Sequence, residues 1–365
     1  MISTLPSEIL LLIASHLTNS TDTLRLASSC QQFHALLTPQ AYTIIELEDG
    51  RLWHISRLTH TLARNPQLAK AVRILRFGDK VIFCEHYEDI LYYDDNIIRP
   101  LLEAATSSSK QLAAWEKQLK ANSREDPWIA ILLPLLENLE ELKMVIHWPF
   151  TYTRRMLQRI TQDPNNTALN RLKEVSVKWW DTQGGLPTSY VYPFFRLPFL
   201  RGFTGTMLTD GCYEDEDLYR DVFDNEEKEE YEDEEAKEAR YPGAECFSNV
   251  TRLHMHYSNS EMGLPDLISA SKQLESFVYE YNGSTGEYTP FNPPAFYRSL
   301  CKHKKSLTEI TLCEEVWGYS VDDPINTRFI GSFKNFTALK KLRLRGQNIL
   351  DWEESHGAGS KKHTT

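Results

Sequence analysis

Few residues in this chain are spaced for chemistry. His254 and His256 alternate along an expected strand and so share a face, and paired imidazoles can begin a transition-metal site; no third ligand is evident beside them. Cys84 and His86 set a thiol near a base, as a nucleophile requires, but no residue is identifiable to orient the imidazole. Gly357-Ala358-Gly359-Ser360-Lys361 lacks the G-x-x-x-x-G-K spacing with which backbone amides and a lysine cradle phosphates, and it falls in a polar tail. The chain carries no G-x-S-x-G, no H-E-x-x-H and no kinase-like set. Its six cysteines, Cys30, Cys84, Cys212, Cys246, Cys301 and Cys313, are scattered without a C-x-x-C pair, which fits a reducing compartment better than a zinc or disulfide framework. The reading is of a protein that is not an enzyme and needs no metal or cofactor.

The elements that would carry a binding function are clearer. At 365 residues, with 41% hydrophobic and 11% aromatic residues, the chain can bury a large core. The net charge of −11 comes mostly from one stretch: Glu214 to Glu238 holds 15 acidic and 3 basic residues, leaving 37 basic and 36 acidic residues elsewhere. A near-neutral body with an acidic insertion at 213–240 lacks the basic surface of a nucleic-acid binder. Self-repelling charge blocks are tolerated as solvated loops between elements. The longest apolar run, Trp128 to Leu136, is too short to span a bilayer, so the expectation is a cytoplasmic and/or nuclear protein with no membrane partner.

Residues 1–45 read as three short helices. Pro6 and Glu8 suit a helix start. Ile9, Ile13 and Leu17 then recur every four residues, with Leu10 and Leu12 beside them. A second helix carries Leu24, Leu26, Ala27 and Cys30, and a third carries Phe33, Leu36 and Leu37 and ends at Pro39. So small a block cannot bury all those side chains within itself, and some must lie against something else. After a helical stretch from Arg51 to Asn65-Pro66, an apolar-x-x-apolar-x-apolar pattern recurs. Its copies are Val72/Leu75/Phe77, Leu139/Leu142/Met144, Leu172/Val175/Val177, Val250/Leu253/Met255, Leu274/Phe277/Tyr279, Leu307/Ile310/Leu312 and Leu339/Leu342/Leu344, with Leu200/Phe203 weaker. Between them lie helical stretches at 96–120, 128–136, 152–160, 265–271, 294–302 and 326–333. Most spacings approach the leucine-rich-repeat period, so an irregular leucine-rich-repeat solenoid over residues 46–350 is expected, followed by a polar tail at 351–365. The fold class is α/β; the plainer alternative is an ordinary α/β domain. Trp179-Trp180 and Tyr190 to Phe199 are read as core material.

Leu5-Pro6-x-Glu8-Ile9, Ile13, Leu17, Asp22, Leu24, Leu26, Cys30, Phe33, Leu36, Pro39 and Tyr42 give the N-terminal block its closest match. It resembles the F-box, the docking motif of substrate receptors in SCF-type ubiquitin ligases. Leu62, Ala63, Asn65-Pro66, Leu68 and the first strand are similar to the entry to the repeat region of fungal F-box proteins. The resemblance implies a three-helix unit that docks the Skp adaptor, and through it a cullin, with Leu5, Pro6, Ile9, Ile13 and Leu17 at the interface and Leu24, Cys30 and Phe33 holding the unit together. It implies a substrate-recognition subunit whose repeats hold an unidentified client protein. A scaffold acting without ubiquitination would look the same in sequence.

Side chains alternate faces along a strand, so residues between the apolar positions point away from the core. Arg252, His254 and His256, and Lys341, Arg343 and Arg345, are therefore the candidate client-binding residues, giving basic character on an expected concave face. Such a face suits an acidic client, and the acidic insertion just before Arg252 would compete for it.

Overall fold

The structure, a computed structural model, describes residues 5–17, 20–47, 52–78, 92–121, 125–146, 150–181, 185–210, 246–259, 263–281, 292–314 and 328–349. The acidic insertion, Cys84 with His86, and the tail with its Gly-Ala-Gly-Ser-Lys run lie outside the described residues. The chain falls into two compact units, 1–174 and 175–365.

The first unit opens with α1 (Ser7–Ser15), α2 (Ser20–Ala27) and α3 (Gln31–Ala41). Pro39 does not end α3, as expected, but sits inside it. A proline near a helix C-terminus forfeits only one amide bond, and Tyr42 N still reaches Thr38 O at 3.3 Å. Next come β1 (Ile44–Leu47), α4 (Leu52–Arg64), α5 (Pro66–Ala71), β2 (Ile74–Phe77), α6 (Asp95–Ala105), α7 (Ser109–Lys120), α8 (Asp126–Leu132), β3 (Glu141–Ile146) and α9 (Thr151–Gln162). The helical stretch expected at 96–120 is two helices, because Ser108 caps α7 by accepting from Gln111 N at 3.2 Å. β1, β2 and β3 run parallel, with Leu75 beside Leu142.

The second unit starts with β4 (Glu174–Trp179), whose first residue closes the first unit, then β5 (Leu186–Pro187) and α10 (Thr188–Val191). β6 (Gly202–Thr206), β7 (Leu208–Thr209), β8 (Arg252–Ser258), α11 (Gly263–Ala270), β9 (Ser276–Tyr281), α12 (Pro293–Leu300), β10 (Glu309–Glu314) and β11 (Lys341–Arg343) follow. Its main sheet runs β4-β6-β8-β9-β10-β11, and β5 pairs with β7 apart from it. From β6 to β11 the main-sheet strands are parallel, and Phe203, Leu253, Phe277, Ile310 and Leu342 form one row across them. The helix expected at 326–333 is not formed by residues 328–332. Gly331 has φ +128°, and a Cβ there would lie 2.7 Å from the Tyr297 ring.

The apolar pattern thus marks a recurring element, and the backbone shows why it keeps register. One carbonyl before each strand accepts two amides from the next copy. Thr43 O takes Arg73 N and Ile74 N, and Arg73 O takes Glu140 N and Glu141 N. In the second unit Arg201 O takes Thr251 N and Arg252 N, Thr251 O takes Glu275 N and Ser276 N, and Thr308 O takes Lys340 N and Lys341 N. Both lone pairs of each carbonyl are used, so a slip of one residue would orphan two amides and turn the apolar row outward. Val72, Leu142, Leu253, Phe277 and Ile310 are completely buried.

Two polar groups hold the helices in place. Asp126 is buried, and its carboxylate accepts from Tyr152 N at 2.7 Å and Thr153 N at 2.9 Å, capping α9 from α8. Burial pushes that carboxyl up to about 6, against the pull of the two amides. His303, also buried, bridges Leu274 N at 3.3 Å and Ile268 O at 2.9 Å, and burial holds its pKa below the ordinary value. Among the described residues no helix is long and apolar enough to cross a membrane.

Candidate functional site

The N-terminal block buries only part of its apolar surface. Pro6 starts α1, its carbonyl accepting Ile9 N at 3.0 Å and Leu10 N at 3.1 Å. From there the helix is apolar all round: Ile9, Leu10, Leu11, Leu12 and Ile13 follow in a run. A helix with one neighbouring layer can hide one stripe, and here the stripe is Leu10 and Ala14, one turn apart. They join Ala27, Phe33 and Leu37 in a small core, with Leu5, Leu26, Cys30 and Leu36 packed partly against it.

The remaining apolar face of α1 is exposed: Ile9 and Ile13 are each 42% exposed and Leu12 is 58% exposed. Of the residues expected at an interface, Pro6, Ile9 and Ile13 are exposed, while Leu5 and Leu17 are half-buried. Leu11 was not singled out, and Leu12 was placed beside the stripe but not at the interface, because an all-round apolar run gives periodicity nothing to choose between. Leu24, expected to hold the block together, points outward, because Thr23 and Ala27 fill the inner face of α2. Phe33 is buried and Cys30 half-buried, as expected of inward groups.

Residues 2–43 match a family model described as F-box-like. The F-box-like block covers α1, α2 and α3 and stops just before β1. No curated protein matches the chain.

Beyond the F-box-like block, the other sequence-derived candidates lie on the sheet face of the second unit, where several are engaged by neighbouring strands. His254 is half-buried, its Nε2 3.2 Å from Ser276 Oγ, and burial first, then His256, lowers its pKa. His256 Nδ1 lies 2.7 Å from Glu280 Oε2. Lys341 Nζ lies 2.5 Å from Glu309 Oε1, and Glu309 Oε2 accepts from Ser276 Oγ at 3.3 Å. A chain of polar contacts therefore crosses from β8 to β11. The parallel register causes it, setting Glu309 opposite Lys341 and Ser276 opposite Glu309. Arg252 and Arg343 are exposed, and Arg345 is half-buried. The first unit repeats the device, with Arg76 between Glu46 at 2.6 Å and Glu141 at 2.8 Å. His254 and His256 have rings 6.4 Å apart, each engaged by a neighbouring strand.

Proposed function

We propose that this chain is the substrate-recognition subunit of an SCF-type ubiquitin ligase. The F-box-like block docks the Skp adaptor, which bridges to a cullin, and the strand-and-helix units form an irregular leucine-rich-repeat solenoid that holds a client protein. The chain itself performs no catalysis; it supplies proximity between client and ligase. One observation carries the reading: inside the F-box-like match, α1 leaves Ile9, Leu12 and Ile13 uncovered after its own core is complete. An apolar row of this kind on a nine-residue helix is costly in water and is stabilised by a partner's groove. The fungal character of the repeats belongs to the same proposal and rests on the Asn65-Pro66 entry to β2.

Reconstituted ubiquitin transfer with and without the chain tests the function. Client capture by affinity purification supplies the substrate. Ubiquitination that depends on the chain and on its residues 2–43 supports the proposal. A client that binds the chain and the adaptor together but is never modified would instead establish a scaffold without ubiquitination.

A further inference from the structure

The last strand unit is built unlike the others. Central residues such as Leu253, Phe277 and Ile310 are fully covered, yet Leu342 on β11 is 45% exposed. Phe329 and Ile349 of the same stretch are 39% and 51% exposed, and the Ile330 N to Asn348 O hydrogen bond draws their two segments together. Residues 328–349 contain Arg328, Lys334, Lys340, Lys341, Arg343 and Arg345 and no acidic residue. The turn before β10 adds exposed Lys304 and Lys305, and Lys304 O accepts Thr337 N at 3.1 Å.

β11 also stands at the end of the main sheet of its unit, and among the described residues no strand pairs with its outer edge. Lys341 N donates to Thr308 O on the β10 side at 3.0 Å. Backbone groups alternate between the two edges of a strand, so the Leu342 amide and carbonyl face outward. The edge therefore presents a donor and an acceptor, an exposed leucine on one face, and Lys341 and Arg343 on the other. Glu309 meets Lys341, while Arg343 makes no ion pair among the described residues and stands opposite Thr311.

We propose that the β11 edge binds an extended segment of a partner protein whose residues run acidic, apolar, acidic against Lys341, Leu342 and Arg343. The pattern reads the same in both directions, so it fits a parallel or an antiparallel added strand, with backbone bonds giving affinity and the alternation giving specificity. A second copy of this chain does not fit, because its β11 would bring the same cations face to face. A nucleic acid fits less well, since bases stack on aromatic platforms and β11 itself carries none, the exposed Phe329 lying on the segment joined to Asn348 rather than on the strand edge. The inference rests on the proposed function only in identifying this partner with the client.

Fluorescence anisotropy with the full chain and a short labelled peptide of alternating Glu and Val tests it. The comparison ligands are a peptide of the same composition with its Glu and Val segregated, an alternating peptide N-methylated to block strand pairing, and a single-stranded oligonucleotide of equal charge. The alternating peptide is expected to bind about tenfold tighter than each, and Arg343→Glu and Leu342→Glu are each expected to weaken it about tenfold with far-UV circular dichroism unchanged. Both positions are exposed, so these variants keep their fold. Binding that ignores residue order, an oligonucleotide that binds as tightly as the alternating peptide, or an Arg343→Glu variant with wild-type affinity would overturn the proposal. No adaptor is present in this assay, so its failure leaves the docking of the F-box-like block untouched.

Discussion

Replacing Ile9, Leu12 and Ile13 together by Ser separates the two faces of α1. These side chains are 42%, 58% and 42% exposed, so roughly half of each remains available for a partner to cover. Full burial of such a side chain contributes about 1.5–3 kcal/mol, so each forfeits about 1 kcal/mol of adaptor binding and the triple variant about 3 kcal/mol. At about 1.4 kcal/mol per tenfold, affinity falls by about a hundredfold. Stability changes less, because none of the three belongs to the small core of Leu10, Ala14, Ala27, Phe33 and Leu37, and surface substitutions typically shift stability within about 0.5 kcal/mol each. Leu10→Ser behaves in the opposite way. Leu10 is 3% exposed in the small core with Phe33 and Leu37, and its loss costs about 2–4 kcal/mol of folding. Calorimetric titration of the purified Skp adaptor, paired with thermal melts of each variant, reads both quantities. A triple variant that binds like wild type, or one whose melting temperature collapses, would refute the assignment of faces.

Other expectations follow from the buried polar groups and the acidic insertion. The folded pKa of Asp126 lies at about 6, above the ordinary 3.8, so the folded state holds the proton more tightly. Its contribution is full below about pH 4 and is lost, by about 3 kcal/mol, as pH rises through about 6; melts of Asp126→Asn should lose that slope. His303 acts with the reverse sign, because burial lowers its pKa. Its contribution is present above the ordinary 6.5 and is lost as pH falls below it, and a His303→Phe variant whose acid destabilisation matched wild type would refute this role. Deleting Glu214–Glu238 should leave the melting temperature nearly unchanged and raise the isoelectric point, as isoelectric focusing and calorimetry would read. At low salt the same deletion should tighten binding of the alternating acidic peptide, with the gain shrinking as ionic strength rises.

The strands were legible because burial on the helix side forces large apolar residues into fixed positions. The middle residue of every copy, and Phe203 of the weak Leu200/Phe203, falls on a strand. β1 was not legible, since Ile44-Ile45-Glu46-Leu47 follows a helix without the leading leucine and borrows its register from β2. Which side of α1 faces inward was not legible for a related reason: with Ile9 through Ile13 all apolar, only the surroundings select Leu10 and Ala14. The partners of His256 and Lys341 were not legible because they are remote in sequence. Glu280 lies 24 residues from His256 and Glu309 lies 32 from Lys341, and only the parallel register makes each pair neighbours.

Adaptor binding by a chain carrying Leu5→Ala and Pro6→Ala decides whether residues 2–43 dock the Skp adaptor. Leu5 packs against the F-box-like core and Pro6 is exposed at the start of α1, so the pair sets the entry to the apolar face. Size-exclusion chromatography of the purified chain with the Skp adaptor should show a stable complex for wild type and none for the double variant. Truncation of central anchors costs about 2 kcal/mol or more, and the thermal transition of residues 46–350 should be preserved. A double variant that still elutes with the adaptor like wild type, or a wild-type chain that never does, would contradict the account.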